Sequence, residues 1–271
     1  MLYLNKSRKI NLISNRNLES RKTALKLKEK FTQRGFIISE KYNPDAELNI
    51  CVGGDGAFLS AVHKYKFTNI PFIGINTGHL GFFQEILPEN IDTFISKYIN
   101  KDYTIEEISL VSAKIHTKKK TFYLTGVNEV VIKGMKSKVI HLDLSIDGNH
   151  LEKFSGDGII VSTPAGSTAY SFSSGGSVIY PSLETLQITP LSPINSKAYR
   201  SLQNSAVIPG SSIITIEPEN RYINSILVVN DGIEFSYDNI QQIDFTMPSK
   251  KIYKLNFDKN MYWNNLKNKF L

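Results

Sequence analysis

At 271 residues, 41% hydrophobic and 21% charged, the chain has the composition of an ordinary globular protein, long enough for one large domain or two small ones. Its formal net charge of +7 favours anionic ligands such as nucleotides, but the basic residues are scattered, which argues against a nucleic-acid partner. A single cysteine, Cys51, excludes a disulfide within the chain, and no segment has the apolar length of a membrane span or a secretory leader. The sequence therefore predicts a cytoplasmic protein with no membrane partner.

The first hundred residues alternate between strands and helices. The helix at 18–34 is expected to begin after Asn15 or Asn17 and to stop at Gly35. Alternation of this kind implies a parallel sheet, whose functional loops lie at the carboxyl ends of the strands. The predicted elements are strands at 9–14, 36–38, 48–52 and 71–75 and helices at 18–34, after 56 and at 89–99.

The stretch Gly53-Gly54-Asp55-Gly56 stands between an apolar strand and a helix. Glycines at such a junction let the backbone turn sharply and let a large anion approach the amide groups. Neither the lysine-bearing phosphate loop nor the dinucleotide fingerprint is present. Asp55 puts a negative charge among these glycines, so we expect it to accept a proton from a hydroxyl or to hold a metal. An ordinary Asp-Gly turn is the alternative interpretation.

From Thr104 onward the sequence changes to short, alternating, β-branched runs. Asp147-Gly148 and Asp231-Gly232 predict hairpin turns between such runs. We expect an α/β domain with a parallel sheet over residues 1–103 and a β-rich, antiparallel, sandwich-like domain over 104–251. Helices in the second domain should be limited to segments after Thr168 and near Leu183. The predicted strands lie at 105–115, 122–132, 140–146, 159–162, 212–216, 226–229 and 241–247.

Two motifs in this second half can bind a ligand. Asn128-Glu129 ends an apolar run, and an amide beside a carboxylate can pair with ribose hydroxyls, although an ordinary surface pair is the alternative. Gly156-Asp157-Gly158 leads into a strand and then into Thr163–Tyr170, a run rich in small hydroxyls that ends in an aromatic ring. Such a run offers hydrogen bonds and a stacking surface for a base, unless it is only a Gly/Ser loop.

In this order, the motifs resemble the series found in the NAD kinases. The resemblance implies a two-domain enzyme that transfers the terminal phosphate of ATP, or in some members of polyphosphate, to the 2′-hydroxyl of the adenosine ribose of NAD, giving NADP. It also implies a divalent cation, with Mg²⁺ expected, and a homodimer or homotetramer whose pockets a neighbouring subunit completes. A tail at about 252–271, with a helix at 261–270, should pack back on the first domain. The matching motifs are Gly53–Gly56, Asn76–Phe82, Asn128-Glu129, Gly156–Gly158, Ser162–Tyr170 and Gly175-Gly176.

The resemblance also assigns residues. Asp55 matches the proposed catalytic base, and the phosphate-side loop is matched by Gly53, Gly54 and Gly56. No residue is assigned as a metal ligand. The positions that match the family's NAD pocket are Phe82, Asn128, Glu129, Asp157, Ser162, Thr168, Ala169, Tyr170, Ser173 and Asp231.

The sequence departs from the family pattern at three positions. Ala57 and Ala165 stand where many members have a hydroxyl residue, and Ser155 stands where arginine is common. These departures leave the phosphate donor open.

Two other functions are compatible with parts of the pattern. A lipid kinase of the diacylglycerol or sphingosine kinase type shares a Gly-Gly-Asp-Gly loop, but the long run 156–176 argues against it. A non-catalytic NAD-sensing protein would keep the NAD pocket and lose turnover, and the presence of Asp55 argues against that.

Overall fold

The structure is a computed structural model that describes residues 8–78, 81–196, 200–258 and 260–271. The chain divides into two compact units, Met1–Glu107 with Ile252–Leu271 and Ile108–Lys251. The helices are α1 (Leu18–Thr32), α2 (Asp55–Lys64), α3 (Ile91–Ile99), α4 (Tyr170–Ser173) and α5 (Met261–Phe270). The strands are β1 (Lys9–Ser14), β2 (Ile37–Ser39), β3 (Leu48–Gly53), β4 (Phe72–Asn76), β5 (Gln84–Ile86), β6 (Thr104–Ile108), β7 (Val111–Thr117), β8 (Thr121–Gly126), β9 (Glu129–Gly134), β10 (Ile140–Ile146), β11 (Asn149–Gly156), β12 (Gly158–Ser162), β13 (Thr185–Leu191), β14 (Ala206–Pro209), β15 (Ile214–Pro218), β16 (Ile226–Asn230), β17 (Ile233–Ser236), β18 (Ile240–Thr246) and β19 (Ile252–Asn256).

The sheet of the first unit reverses its strand order beside the Gly53–Gly56 loop. Within the described residues it is a 7-stranded sheet in the order β2-β1-β3-β4-β19-β6, with β5 paired to β4. The pairings β1–β2, β1–β3 and β3–β4 are parallel. Strand β1 continues through α1 to β2 on one side, whereas β3 continues through α2 to β4 on the other. The carboxyl ends of β1 and β3, Ser14 and Gly53, therefore flank the switch point at which open parallel sheets bind ligands.

The core of the first unit lies between this sheet and two helices. Leu27 and Phe31 of α1 and Phe94 of α3 pack in one buried cluster with strand residues such as Ile10 and Ile50. The apolar positions of α1 recur at helical spacing, which is why one face of this basic helix is buried and the other is exposed.

A buried ion cluster joins the last strand to the first unit. The Lys254 ammonium group on β19 contacts the Glu85 carboxylate of β5 and lies 3.2 Å from Glu106 Oε2 of β6. Burial opposes the charged form of Lys254, but the two carboxylates outweigh that effect and raise its pKa. The chain segment after the second unit is thus tied to the first by charge as well as by strand pairing.

The second unit is built from two antiparallel sheets. Within the described residues these are 6-stranded, in the orders β11-β10-β15-β18-β7-β8 and β14-β13-β12-β9-β16-β17. Side chains from both sheets share one apolar core, with Ile115 and Leu142 from the first and Ile132 and Val161 from the second. The predicted fold class, a parallel α/β unit followed by an antiparallel, β-rich unit, is confirmed.

The structure corrects three predicted elements. The strand predicted at 105–115 is two strands, β6 and β7, separated at Ser109 and Leu110. The helix expected near Leu183 is absent from the described residues, and β13, paired on both sides in its sheet, begins at Thr185 instead. The strand predicted at 122–132 is two strands, interrupted at Val127 and Asn128. The backbone N–H groups of these two residues donate to the Asp231 carboxylate, at 2.7 and 2.8 Å, so a side chain replaces the strand partner there.

Candidate active site

Asp55 is fixed by two backbone hydrogen bonds and remains accessible. It is the first residue of α2, preceded by an extended Gly54. Its Oδ2 accepts the backbone N–H of Phe82 at 2.9 Å, and its Oδ1 accepts that of Phe83 at 3.0 Å. The side chain is still 27% exposed. Each oxygen keeps a second lone pair, so a fixed carboxylate is available to a hydroxyl from solvent.

The segment that holds Asp55 is shaped by Gly81. A Cβ at this position would overlap the Asp55 carboxylate, so only glycine permits the approach. Asn265 of α5 donates to the Gly81 carbonyl oxygen at 2.9 Å, and the Phe82 ring stacks 5.9 Å from that of Phe270. Within the predicted motif 76–82, His79 and Leu80 lie outside the described residues.

The glycine loop is uncovered at Gly54 and Gly56, whereas Gly53 is buried against Ala57 and Asn15. A Cβ placed on Gly54 or Gly56 would meet no atom within 4 Å. Two hydrogen bonds fix the carbonyl groups of the loop. Gln84 Nε2 donates to the Gly54 carbonyl oxygen at 2.9 Å, and the Thr77 N–H donates to the Gly53 carbonyl oxygen at 3.1 Å. An open backbone at the start of a 10-residue helix presents N–H groups and a partial positive charge.

In the second unit, Asp231 organises the loop that carries Asn128 and Glu129. Its carboxylate accepts three consecutive backbone N–H groups, from Val127, Asn128 and Glu129, at 2.7, 2.8 and 3.2 Å. The Asp231 N–H in turn donates to the Glu129 carbonyl oxygen at 3.1 Å. The sequence predicted Asp231 to line the NAD pocket. It did not predict that the Asp231 carboxylate would bind these three backbone N–H groups.

Three buried oxygens on this loop and on the neighbouring strand β12 have no hydrogen-bond partner among the described residues. They are Asn128 Oδ1, Glu129 Oε2 and Ser162 Oγ. Ser162 lies opposite Glu129 in the register of β12 with β9, so the unpartnered oxygens of these two residues lie on neighbouring strands at the same level of the sheet. A buried polar atom with no hydrogen bond costs about 1–3 kcal/mol, and a ligand that pairs with it removes that cost.

Glu129 has the electrostatics of a site residue. Burial raises its pKa to about 8, and the nearby Asp231 carboxylate adds to the shift, while the Tyr170 backbone N–H opposes it. In the free protein Glu129 is thus mostly protonated at neutral pH. It can donate a hydrogen bond there as well as accept one, whereas the sequence suggested only an acceptor.

The hydroxyl-rich run packs directly on the Asn128 loop. Thr163 Oγ1 donates to the Val127 carbonyl oxygen at 2.6 Å and accepts the Gly166 N–H at 3.1 Å. A Cβ on Gly166 would overlap the Asn128 backbone, so this close contact requires glycine. The Thr168 hydroxyl, predicted to face NAD, donates within its own turn to the Ala165 carbonyl oxygen at 3.2 Å and keeps its acceptor lone pairs.

The end of the run reaches the surface. Ala169 precedes the short helix α4, which begins at Tyr170 and ends at Ser173. The Tyr170 side chain is 44% exposed, which makes it available for stacking and argues against a core role.

Asp157 and Tyr170 line one cavity of about 430 Å³ in the second unit. Its rim also carries Lys133, Lys136 and Lys138. Sequence reasoning missed these lysines, although three lysines within six residues were a visible signal of clustered positive charge.

The described residues show neither a metal-ligand cluster nor a membrane-spanning helix. They contain no cluster of three or more His, Cys, Asp or Glu side chains that could hold a metal ion. None of their helices is long and apolar enough to cross a membrane.

The structure thus gathers the predicted residues in two places, except Ser173, which ends α4 and whose side chain no described contact joins to either group. Its backbone N–H donates to the Ala169 carbonyl oxygen at 3.5 Å. In the first unit, Gly53, Gly54, Asp55, Gly56 and Phe82 share the edge at the strand switch point. The second unit brings together Asn128, Glu129, Ser162, Thr168, Ala169, Tyr170 and Asp231, with Asp157 on the cavity beside Tyr170.

Comparison with known proteins agrees with this arrangement. Residues 4–103 match the ATP-NAD kinase N-terminal domain, and residues 127–255 match the ATP-NAD kinase C-terminal domain. An NAD kinase of Finegoldia magna is 53% identical over 98% of this chain and 99% of its own length. An NAD kinase of Staphylococcus aureus is 32% identical over 93% of this chain and 94% of its own.

Two solved structures share the fold. Yeast NADH kinase complexed with NADH superposes with a TM-score of 0.84 at 18% identity, covering 97% of this chain and 87% of that one. An NAD kinase from Archaeoglobus fulgidus in complex with ATP gives a TM-score of 0.77 at 23% identity, covering 94% and 96%. Two domain matches that together span most of the chain, and a relative with more than half its residues identical, lead to one conclusion: the chain belongs to the NAD kinase family.

Proposed function

We propose that the protein transfers the terminal phosphate of ATP to the 2′-hydroxyl of the adenosine ribose of NAD, forming NADP and ADP. The observation that carries this proposal is the fixed, accessible Asp55 carboxylate at the start of α2, beside an uncovered glycine loop. A hydroxyl acceptor and a phosphate donor need such a neighbouring base and anion-binding backbone.

In the proposed reaction Asp55 is the general base. A ribose hydroxyl is a poor nucleophile at neutral pH, and a base that receives its proton contributes roughly 10²–10⁴-fold to the rate. The hydroxyl oxygen forms a bond to the terminal phosphorus, the bond from that phosphorus to the bridging oxygen breaks, and ADP leaves. Because this transfer depends mainly on positioning and charge, the Phe82 and Phe83 N–H groups that fix Asp55 are part of the machinery.

We propose that the second unit binds NAD. The unpartnered oxygens of Asn128, Glu129 and Ser162 suit a ligand rich in hydroxyl and amino groups. The exposed Tyr170 ring suits stacking on a base. The lysines of the cavity that Asp157 lines suit the phosphates of a dinucleotide.

The divalent cation fits best as part of the donor. Because the described residues form no metal-ligand cluster, we propose that Mg²⁺ enters bound to the ATP phosphates and belongs to the substrate. The matched relatives and the uncovered glycine loop support ATP, and polyphosphate is a second donor to test. A cytoplasmic homodimer or homotetramer remains our proposal for the assembly and location.

A direct assay tests the proposed activity. Purified protein is incubated with NAD, Mg²⁺ and either ATP or polyphosphate, and NADP is measured with an NADP-specific dehydrogenase. We expect NADP that depends on the donor and is lost in Asp55→Ala. Tight NAD binding without NADP would instead identify a sensing protein, and phosphorylation of a diacylglycerol or sphingosine substrate would identify a lipid kinase.

A further inference from the structure

The C-terminal helix α5 places a cation beside the candidate base. Lys269 lies in the last turn of α5, and its ammonium nitrogen is 4.0 Å from Asp55 Oδ2. The same nitrogen lies 5.0 Å from the centroid of the Phe82 ring. The Lys269 side chain is 33% exposed, so one side of the ammonium group is open to a ligand.

The position of helix α5, which carries Lys269, is set by contacts that do not involve the lysine's charge, although its ammonium also lies over the Phe82 and Phe270 rings, 5.0 and 5.8 Å from their centroids. Asn265, which is buried, donates to the Gly81 carbonyl oxygen at 2.9 Å. The rings of Tyr262 and Phe270 lie 5.8 and 5.9 Å from that of Phe82. An exposed ion pair of 4.0 Å adds little stability. Helix α5 is therefore held on residues 81–82 by an amide and by rings, and the lysine is available for another role.

A cation at this place, in addition to the Mg²⁺ of the donor, would favour the proposed reaction. The phosphates of the donor are strongly anionic, and they must approach a hydroxyl that also faces the Asp55 carboxylate. The donor phosphates and the Asp55 carboxylate therefore repel each other. Phosphate loops of the lysine-bearing type carry a cation within the loop, whereas Gly53–Gly56 carries only the aspartate. Lys269 lies within ion-pair distance of that aspartate.

We propose that Lys269 is a donor-binding residue, whose ammonium group bridges the Asp55 carboxylate and an oxygen of the donor's phosphates. This inference rests on the proposed function and adds one residue to the part of the site that would hold the donor phosphates. An ammonium group has three donors, so it can keep one hydrogen bond toward Asp55 while a second meets a phosphate oxygen. The C-terminal helix thereby completes the phosphate side of the site.

Steady-state kinetics with each substrate varied in turn tests the role. Lys269→Gln removes the charge and keeps a flexible polar side chain, one atom shorter than lysine. Lys269→Arg restores the charge. Lys267→Gln removes an exposed charge two residues away on the same helix. We expect Lys269→Gln to raise KM for ATP about tenfold or more, from the loss of one charged hydrogen bond. KM for NAD and the melting temperature should stay close to wild type. Lys269→Arg should recover most of the ATP affinity, and Lys267→Gln should behave as wild type.

Three outcomes would overturn the inference. The first is a KM for ATP within twofold of wild type in Lys269→Gln. The second is a similar loss for both substrates together with a lower melting temperature and no recovery in Lys269→Arg, which would make the lysine structural. The third is a wild-type protein that makes no NADP, which would remove the proposed function and this inference together, whereas the first two leave the proposed function standing.

Discussion

The Asp55 carboxylate is fastened to Phe83, whose backbone N–H donates to Asp55 Oδ1 at 3.0 Å. The neighbouring N–H, from Phe82, donates to Oδ2 at 2.9 Å. One side chain therefore anchors the segment after Gly81 and also stands as the candidate base. A substitution at Asp55 changes both properties, and a useful test has to separate them.

Asp55→Asn should lose most turnover and retain NAD binding. An amide is nearly isosteric with the carboxylate but cannot take the hydroxyl proton, so we expect kcat to fall by about 10²-fold or more. One backbone N–H will face the new NH₂ group, and the lost hydrogen bond should lower the free energy of unfolding by about 1–3 kcal/mol. Stopped kinetic assays, calorimetry with NAD and urea denaturation measure the three quantities.

Asp147→Ala is the control for losing a carboxylate-to-backbone hydrogen bond away from the candidate site. The Asp147 carboxylate likewise accepts a backbone N–H, that of Ile213 at 2.8 Å, at a hairpin turn of the second unit. We expect it to lose stability while turnover stays within twofold of wild type. Turnover of Asp55→Asn within a few-fold of wild type would rule out Asp55 as the base.

Local features of the fold were predictable from the sequence. Strand β1 has the predicted bounds, α5 spans the predicted 261–270, and both hairpin turns form at their Asp-Gly pairs, where Asp147 and Asp231 have the left-handed φ values of 50° and 46°. These features depend on periodicity over a few residues and on turn chemistry, which a sequence displays directly.

Contacts between distant residues were not predictable. The Asp55 carboxylate accepts hydrogen bonds from backbone N–H groups 27 and 28 positions away in the sequence. The Asp231 carboxylate accepts them from three N–H groups more than 100 positions away. Hydrophobic periodicity says which face of an element is buried but does not identify which backbone donors a carboxylate will meet. The motifs predicted which residues belong to the candidate site, and only the structure separates anchoring carboxylates from unpartnered ones.

Glu129 should make the stability of the free protein depend on pH. Its pKa is raised from 4.5 to about 8 by burial and by the Asp231 charge. Between these values the folded chain holds a proton that the unfolded chain has released. The free energy of unfolding should therefore fall as pH rises from about 4.5 to about 8, by up to about 1.4 kcal/mol per pH unit.

Glu129→Gln, which stays neutral, isolates this contribution. We expect the free energy of unfolding of the variant, relative to wild type, to improve steadily as pH rises through the same window. Urea denaturation of both proteins at closely spaced pH values measures the difference. A difference that does not vary with pH would show that Glu129 titrates normally in the folded chain.

Tyr170→Ala should weaken NAD binding without destabilising the fold. The ring is 44% exposed and lines the cavity with Asp157, so little packing is lost on its removal. The backbone N–H that meets Glu129 is kept in the variant. Loss of aromatic packing on the ligand should cost about 1–2 kcal/mol, roughly tenfold in Kd.

Calorimetry should show this loss for Tyr170→Ala but not for Tyr180→Ala, a similarly exposed ring. Equal affinities would give Tyr170 a purely structural role.

Lys254→Met should be strongly destabilising. The substitution leaves the Glu85 carboxylate buried without its cation, and breaking a buried pair in this way costs about 3–5 kcal/mol. Adding Glu85→Gln removes the stranded charge and should restore part of the stability. Lys28→Met breaks an exposed pair with Glu40, 2.7 Å long, and should cost less than about 1 kcal/mol. Equal losses in Lys254→Met and Lys28→Met, measured by urea denaturation, would contradict a structural role for the buried cluster.

The protein should assemble through the β-rich second unit. Each of the four strands at the ends of its two sheets carries an apolar side chain at least 48% exposed. Strand edges with exposed apolar side chains invite pairing with another chain, and self-association covers them. We therefore expect a homodimer or homotetramer in light scattering at assay concentration. These side chains are Tyr123 of β8, Leu151 of β11, Val207 of β14 and Ile233 of β17.

Lysine substitutions at these edges should reduce the mass of the assembly. A charge at an edge strand opposes strand pairing, so Val207→Lys or Ile233→Lys should yield smaller species, while Leu25→Lys, on the exposed face of α1 in the first unit, should not. If a neighbouring subunit completes each pocket, as the resemblance implies, NADP formation should fall together with the mass. Fully active monomers in both edge variants would show that each chain carries a complete site of its own. That result would contradict the shared pocket and leave the role proposed for Asp55 unchanged.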